Sequence, residues 1–172
     1  KAPEKLASRK FAHRKLAEDY APPAQGEEET ALIGGFSQPL PQVLETILAM
    51  IENELKTALA YQVYAQTLHG LVRGDIAEEF LEHADQETEH AQYLMKRYSV
   101  LGGGPLNLPD VPAPAGSTDP IDIIQRMMRI EQEGAAKWRL LHSMIDESTP
   151  MRFKVEEYMT REEEHQDDLK RY

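Results

Sequence analysis

Ala84-Asp85-Gln86-Glu87-Thr88-Glu89-His90-Ala91 sets a glutamate three residues before a histidine, and Glu162-Glu163-Glu164-His165 repeats the spacing near the end of the chain. Positions i and i+3 of a helix share a face, so each unit can aim one carboxylate and one imidazole at the same point. Each unit also follows a solitary glutamate on an apolar helical face: Glu54 lies 33 residues before Glu87, and Glu131 lies 31 before Glu162. Four glutamates and two histidines in this pattern are the donor set with which four-helix bundles hold di-iron or di-manganese centres.

The rest of the chain reads as helices. The stretches on either side of residues 101–120 have an apolar period near 3.6 and no alternating β-branched pattern. A first helix is predicted from about residue 39 to 69, with Val43, Ile47, Met50, Ile51, Glu54, Ala58 and Tyr61 on one face. Gly70 and Gly74 bracket a turn. Asp75 with Glu78 then forms a capping box that opens a second helix, running to about residue 100. Asp119-Pro120 and Thr149-Pro150 read as N-caps followed by proline at the first helical position, so the third and fourth helices span about 119–146 and 149–172. Helices of roughly 23–30 residues would each be about 35–45 Å long.

Residues 101–120 (LGGGPLNLPDVPAPAGSTDP) hold five of the eleven prolines. Two short turns and one long central connector imply two antiparallel hairpins joined by a crossover along the bundle. Twenty residues suffice for that span at up to ~3.3 Å each. The fold class is therefore all-α, a four-helix bundle over residues 41–172, with an N-terminal extension over 1–40. Residues 1–20 carry six Lys/Arg against three acids, a basic arm fit to lie on a neighbouring subunit, to touch DNA or another anionic partner, or to act as a docking peptide for another assembly.

The 172-residue chain contains no cysteine, which excludes disulfides and thiolate metal sites. No apolar run approaches a membrane span, and no signal-peptide h-region is present, so the expectation is a cytoplasmic protein without a membrane partner. The net charge of -11 suits either solubility or the attraction of divalent cations.

Helical phase selects among the thirty acidic residues. Glu87 and His90 share a face with Phe80, His83, Ala84, Ala91 and Leu94, whereas Glu89 falls with Glu82, Asp85, Gln86 and Lys96 on a solvent face. Glu162 and His165 align with Val155, Tyr158, Met159 and Leu169. Glu131 sits among Ile124, Met127, Met128, Ala135 and Trp138, while Glu133 joins Arg126, Arg129 and Lys137 in an ion-pair stripe. Glu54 is preferred to Glu52, although Glu52 has leucines nearby at 48, 55 and 59. Four buried carboxylates would repel one another without cations. Oxygen and imidazole donors without sulfur suit iron first, with manganese or zinc as alternatives. His83 is read as a hydrogen-bonded core histidine or an accessory ligand, and His142 as structural.

Asn53-Glu54-Leu55, Tyr61, Glu87-x-x-His90, Glu131-Gln132-Glu133-Gly134-Ala135 and Glu162-x-x-His165 together resemble the bacterioferritin branch of the ferritin-like superfamily over about residues 42–172. The resemblance implies that Glu87 and Glu162 bridge two metals. Glu54 with His90, and Glu131 with His165, would complete the separate ligand sets. Tyr61 would stand beside the site, either as an electron donor or as a packed aromatic.

Two departures matter. Thr88 occupies the position where bacterioferritins carry a haem-ligating methionine, which argues against haem. The sequence also ends seven residues after His165, which points to a smaller, twelve-subunit shell as in Dps-like mini-ferritins, although those typically add a cysteine pair that is missing here. The function expected is ferroxidase-type iron storage and detoxification. The alternatives are a peroxide-removing enzyme of rubrerythrin or manganese-catalase type, and a Dps-like DNA-binding, protective shell protein.

Overall fold

The computed structural model describes residues 35–70, 73–108, 112–147 and 149–172, so the basic arm at 1–20 lies outside the described residues. Four helices carry the fold: α1 (Leu40–Thr67), α2 (Arg73–Val100), α3 (Pro120–Ser143) and α4 (Pro150–Leu169). Among the described residues the only strand-like pairing is an isolated antiparallel bridge between Phe36 and Ile145. The chain is an all-α four-helix bundle.

Helix α1, at 28 residues, is ~42 Å long and packs along α2, α3 packs along α4, and α1 lies against α3. Helices α2 and α4 meet through Arg161–Glu89 at 2.8 Å and His83–Asp168 at 3.2 Å, and Arg171, just past the end of α4, adds a contact to Glu79 at 3.1 Å. The connector crosses the bundle from end to end. It leaves α2 at Gly102, whose φ of 85° suits a residue without a Cβ, and returns to the far end of α1. There the His69 N–H donates to the Thr118 carbonyl, and the Tyr64 hydroxyl to the Ala115 carbonyl at 2.9 Å.

The predicted termini hold with three adjustments. Helix α2 begins at Arg73, so Asp75 lies inside its first turn, where its charge favours the helix N-terminus without capping it. Helix α3 is capped as expected, with Asp119 accepting from the Ile121 N–H at 3.1 Å. It ends at Ser143, earlier than read, because Ile145 turns away to pair with Phe36. Helix α4 has 20 residues, shorter than the range expected, and Thr149 gives it no side-chain cap.

Two apolar clusters fill the bundle. One, at the end where α1 begins, centres on Ile47, Met50, Leu94, Trp138, Leu141 and Val155. The other, where α1 ends, centres on Tyr61, Tyr64, Phe80, Ile123, Met127 and Leu169. Between them lies a polar layer. Phe36, in the stretch read as extension, is 6% exposed and belongs to the first cluster.

Candidate metal centre

The polar layer consists of Glu54 from α1, Glu87 and His90 from α2, Glu131 from α3, and Glu162 and His165 from α4. All six are at most 1% exposed. The sequence-derived set therefore comes together, one contribution per helix. His90 Nδ1 lies 3.3 Å from Glu54 Oε2, 3.3 Å from Glu162 Oε1 and 3.6 Å from Glu87 Oε2. His165 Nδ1 lies 3.0 Å from Glu87 Oε1 and 3.5 Å from Glu131 Oε2. Two donor groups result: Glu54, Glu87, His90 and Glu162, and Glu87, Glu131, Glu162 and His165, with the donor atoms of each within 4.8 Å of one another. Glu87 and Glu162 belong to both.

Each of the four glutamates keeps one buried oxygen with no hydrogen-bond partner: Glu54 Oε1, Glu87 Oε1, Glu131 Oε2 and Glu162 Oε1. His165 Nδ1 is likewise without one, although Glu87 Oε1 is 3.0 Å away, so the two converge at an angle unsuited to a hydrogen bond. A buried carboxylate oxygen left unsatisfied costs stability, so lone pairs converging on one space fit metal ions. The donor set passes the test for a pair of divalent cations.

The charges show what replaces a cation. Burial, then the neighbouring Glu87, raises the Glu54 carboxyl well above its ordinary value. Burial raises Glu131, and raises Glu162 to about 8. Glu87 moves the other way: burial pushes it up, but contacts from His165 and His90 outweigh that and lower it. Burial opposes charge on the two imidazoles too, yet the surrounding carboxylates lift His90 to about 12 and His165 to about 10. The carboxylates around them therefore favour the protonated forms of both imidazoles.

The surroundings contain both expected and unexpected groups. Tyr61 donates its hydroxyl to Glu131 Oε1. Glu52, the alternative to Glu54, pairs instead with Lys56 near the surface. Glu89 pairs with Arg161, in keeping with its solvent-facing phase. His83 is 3% exposed, contacts Asp168 and stacks on His165 at 4.2 Å between ring centroids. His142 lies near the surface, 2.9 Å from Glu156.

Three residues were missed or misplaced. Gln86, assigned by phase to the solvent face, holds Oε1 3.1 Å from His165 Nε2. If Nε2 carries the proton donated to that oxygen, Nδ1 is left to face the carboxylates. Lys137, read as part of a stripe with Glu133, donates to Asn53 Oδ1. Gly134 lets Glu162 approach α3, because a Cβ there would stand 2.8 Å from Glu162 Oε2. A glycine inside a helix, three residues after a candidate ligand, was the available signal for that contact.

Fold and layer together define a four-helix carboxylate protein built around a two-cation donor set. The family model for ferritin-like domains matches residues 44–172, and the chain belongs to that family. The fold is shared with a dodecameric thioferritin, the bacterioferritin-related protein of Bacteroides fragilis, at 22% identity and a TM-score of 0.70, over 77% of this chain and 84% of that one. It is also shared with a ferritin-like di-iron-carboxylate protein of Bacillus anthracis, at 19% identity and a TM-score of 0.68, over 77% of this chain and 95% of that one. No curated protein matches the sequence. Among the described residues no helix is long and apolar enough to cross a membrane.

Proposed function

We propose that this protein is a ferroxidase that oxidises Fe(II) at a pair of positions inside each subunit and stores the ferric product in a homo-oligomeric shell of twelve subunits. The observation that carries the reading is the pair of overlapping donor groups sharing Glu87 and Glu162, with one unpartnered oxygen on every glutamate. Glu54 and His90 complete one position, and Glu131 and His165 the other. A bound iron pair supplies two electrons, one from each ion, to dioxygen or hydrogen peroxide.

The chain's own groups prepare the site. Ligand binding requires His90 and His165 to release the protons they hold in the metal-free state, and Gln86 then keeps the remaining His165 proton on Nε2. Trp138 and Tyr158 exclude water on the His90 side, at 5.6 and 4.3 Å between ring centroids. With peroxide as oxidant, two Fe(II) and two protons yield two Fe(III) and two waters. With dioxygen, the same ions and protons yield two Fe(III) and one hydrogen peroxide. Tyr61, bonded to Glu131, would supply one of the two electrons that the hydrogen peroxide formed from dioxygen still takes up on its way to two waters, a further Fe(II) supplying the other.

A shell needs contact surfaces, and Phe153, Ile121 and Leu140 are 68%, 66% and 50% exposed, as apolar side chains at subunit contacts would be in an isolated chain. The dodecamer of the Bacteroides fragilis protein supports the same number here.

Stopped-flow oxidation of Fe(II), followed by iron counting in the purified assembly, tests the reading. Rapid oxidation with hundreds of ions retained per particle is the expected result. Rapid turnover of peroxide with two ions retained per chain would replace storage by a peroxide-removing enzyme.

A further inference from the structure

Beside the central layer, α2 and α4 enclose an open cleft of about 460 Å³, lined by Glu79, Glu82, His83, Gln86, His165 and Asp168 among others. Within it, Glu79, His83 and Asp168 each offer a donor atom within 4.8 Å of the others, a group that shares no residue with the two central ones. The geometry points to a third divalent-cation site in this cleft, formed by those three side chains and suited to the borderline ions that accept imidazole and carboxylate together.

The acids alone would be ordinary surface groups, since the side chains of Glu79 and Asp168 are 20% and 25% exposed. His83 is the observation that separates this group from a surface cluster. It is 3% exposed and lines the cleft, and its Nδ1 has no hydrogen-bond partner. Its other nitrogen lies 3.2 Å from Asp168 Oδ2. With Nε2 facing Asp168 and Nδ1 unpartnered, the imidazole has a ring nitrogen to offer a metal. One neutral imidazole and two carboxylates make a charge-balanced seat for a 2+ ion, with water completing the coordination.

A cation already occupies part of that place. Arg171 lies 3.1 Å from Glu79 Oε1 and also contacts Asp168 Oδ1, and Tyr172 donates to Glu79 Oε2. The guanidinium neutralises the two acids that the ion would use, so ion and Arg171 compete. Arg171 is itself 66% exposed at the side chain and free to swing into solvent when displaced.

Equilibrium dialysis of the full-length assembly against Co(II) under argon, with metal quantified per chain, tests the site. The wild type should bind one more ion per chain than Asp168→Asn. Glu87→Ala, which damages the central layer, should keep the ion that Asp168→Asn loses, so this site and the central one fail separately. Arg171→Gln should tighten the third ion about threefold, the scale of removing one exposed ionic competitor. Anomalous scattering from Co(II)-soaked crystals should place that ion between Glu79, His83 and Asp168. Equal ion counts in wild type and Asp168→Asn would make His83–Asp168 a purely structural pair and overturn the site. Unchanged or weaker binding in Arg171→Gln would overturn the competition.

Discussion

His90 and His165 occupy matching places in the donor layer, yet their surroundings differ sharply. His90 is closed in by Trp138 and Tyr158, and its Nε2 has no hydrogen-bond partner. His165 is held by Gln86, stacked on His83, and forms part of the wall of an open cleft. The twofold repeat of Glu and Glu-x-x-His thus governs the ligands and stops at the layer behind them. The His90 side of the layer is walled by aromatic rings, and the His165 side borders an open cleft. This division of labour suits a reaction in which ions must arrive and leave while water is kept from the interior.

The strongest way to break the comparison is to remove what the two sides share. Glu87 belongs to both donor groups, so Glu87→Ala should abolish rapid Fe(II) oxidation while the helical circular-dichroism signal persists. Glu54→Ala and Glu131→Ala each damage one side and should leave one tightly bound Co(II) per chain in the central layer. Retention of two central ions by Glu87→Ala would dissolve the idea of a shared bridge.

Trp138→Ala probes the sealed side by itself. The ring is fully buried, and its loss should cost about 3–5 kcal/mol in urea unfolding, as for other large aromatic truncations. Gln86→Leu probes the open side. It removes the acceptor for His165 Nε2 and should weaken one ion by about 10–100-fold, leaving the His90-side ion unchanged. Equal weakening of both ions would show that the two sides are coupled more tightly than their contacts suggest.

Acidity sharpens the same contrast. Glu162 is raised from 4.5 to about 8, His165 from 6.5 to about 10 and His90 from 6.5 to about 12. In each case the folded metal-free protein binds a proton that the unfolded chain has already released. Stability must then fall as pH rises: through the window 4.5–8 for Glu162, and above 6.5 for the histidines, up to their folded values. Glu87, lowered instead, acts oppositely, but only below its ordinary 4.5. The melting temperature of chelator-treated protein should therefore drop between pH 6.5 and 10, the His165 contribution fading before that of His90. Metal affinity should rise over the same interval, because ions replace those protons. A melting temperature that stays level across it would contradict the proton-filled layer.

The sequence disclosed the buried polar layer more fully than what stands behind it. Glu87, His90, Glu162 and His165 are marked by a spacing that a helix turns into a shared face, and Glu54 and Glu131 by an acid in an otherwise apolar stripe. Phase alone misassigned Gln86, because a long amide at the edge of a face can reach across to another helix. It also could not pair His83 with Asp168, 85 residues away on α4. Gly134 was visible as a residue without a visible reason. Its role is a distance between two helices, which no one-dimensional pattern contains.

The smallest expected effect falls on Tyr61, and it decides between two readings of one hydroxyl. Tyr61 is fully buried against Phe80 and His83, with ring centroids 5.1 Å away in both cases, so Tyr61→Phe preserves the packing. It removes the donor to Glu131 Oε1, at about 1 kcal/mol of stability. Ion stoichiometry should be unchanged, since Glu131 keeps both oxygens. The two readings part in the redox behaviour. As an electron donor, Tyr61 should give a transient tyrosyl signal in freeze-quenched electron paramagnetic resonance after Fe(II) meets oxidant, absent from Tyr61→Phe. Burial and the adjacent Glu131 raise the phenol's pKa, so the electron can leave only with its proton, and Glu131 is the acceptor already in contact. Absence of that signal in the wild type, with identical oxidation traces for both proteins, would leave Tyr61 as a packed aromatic that steadies Glu131 on the open side of the centre.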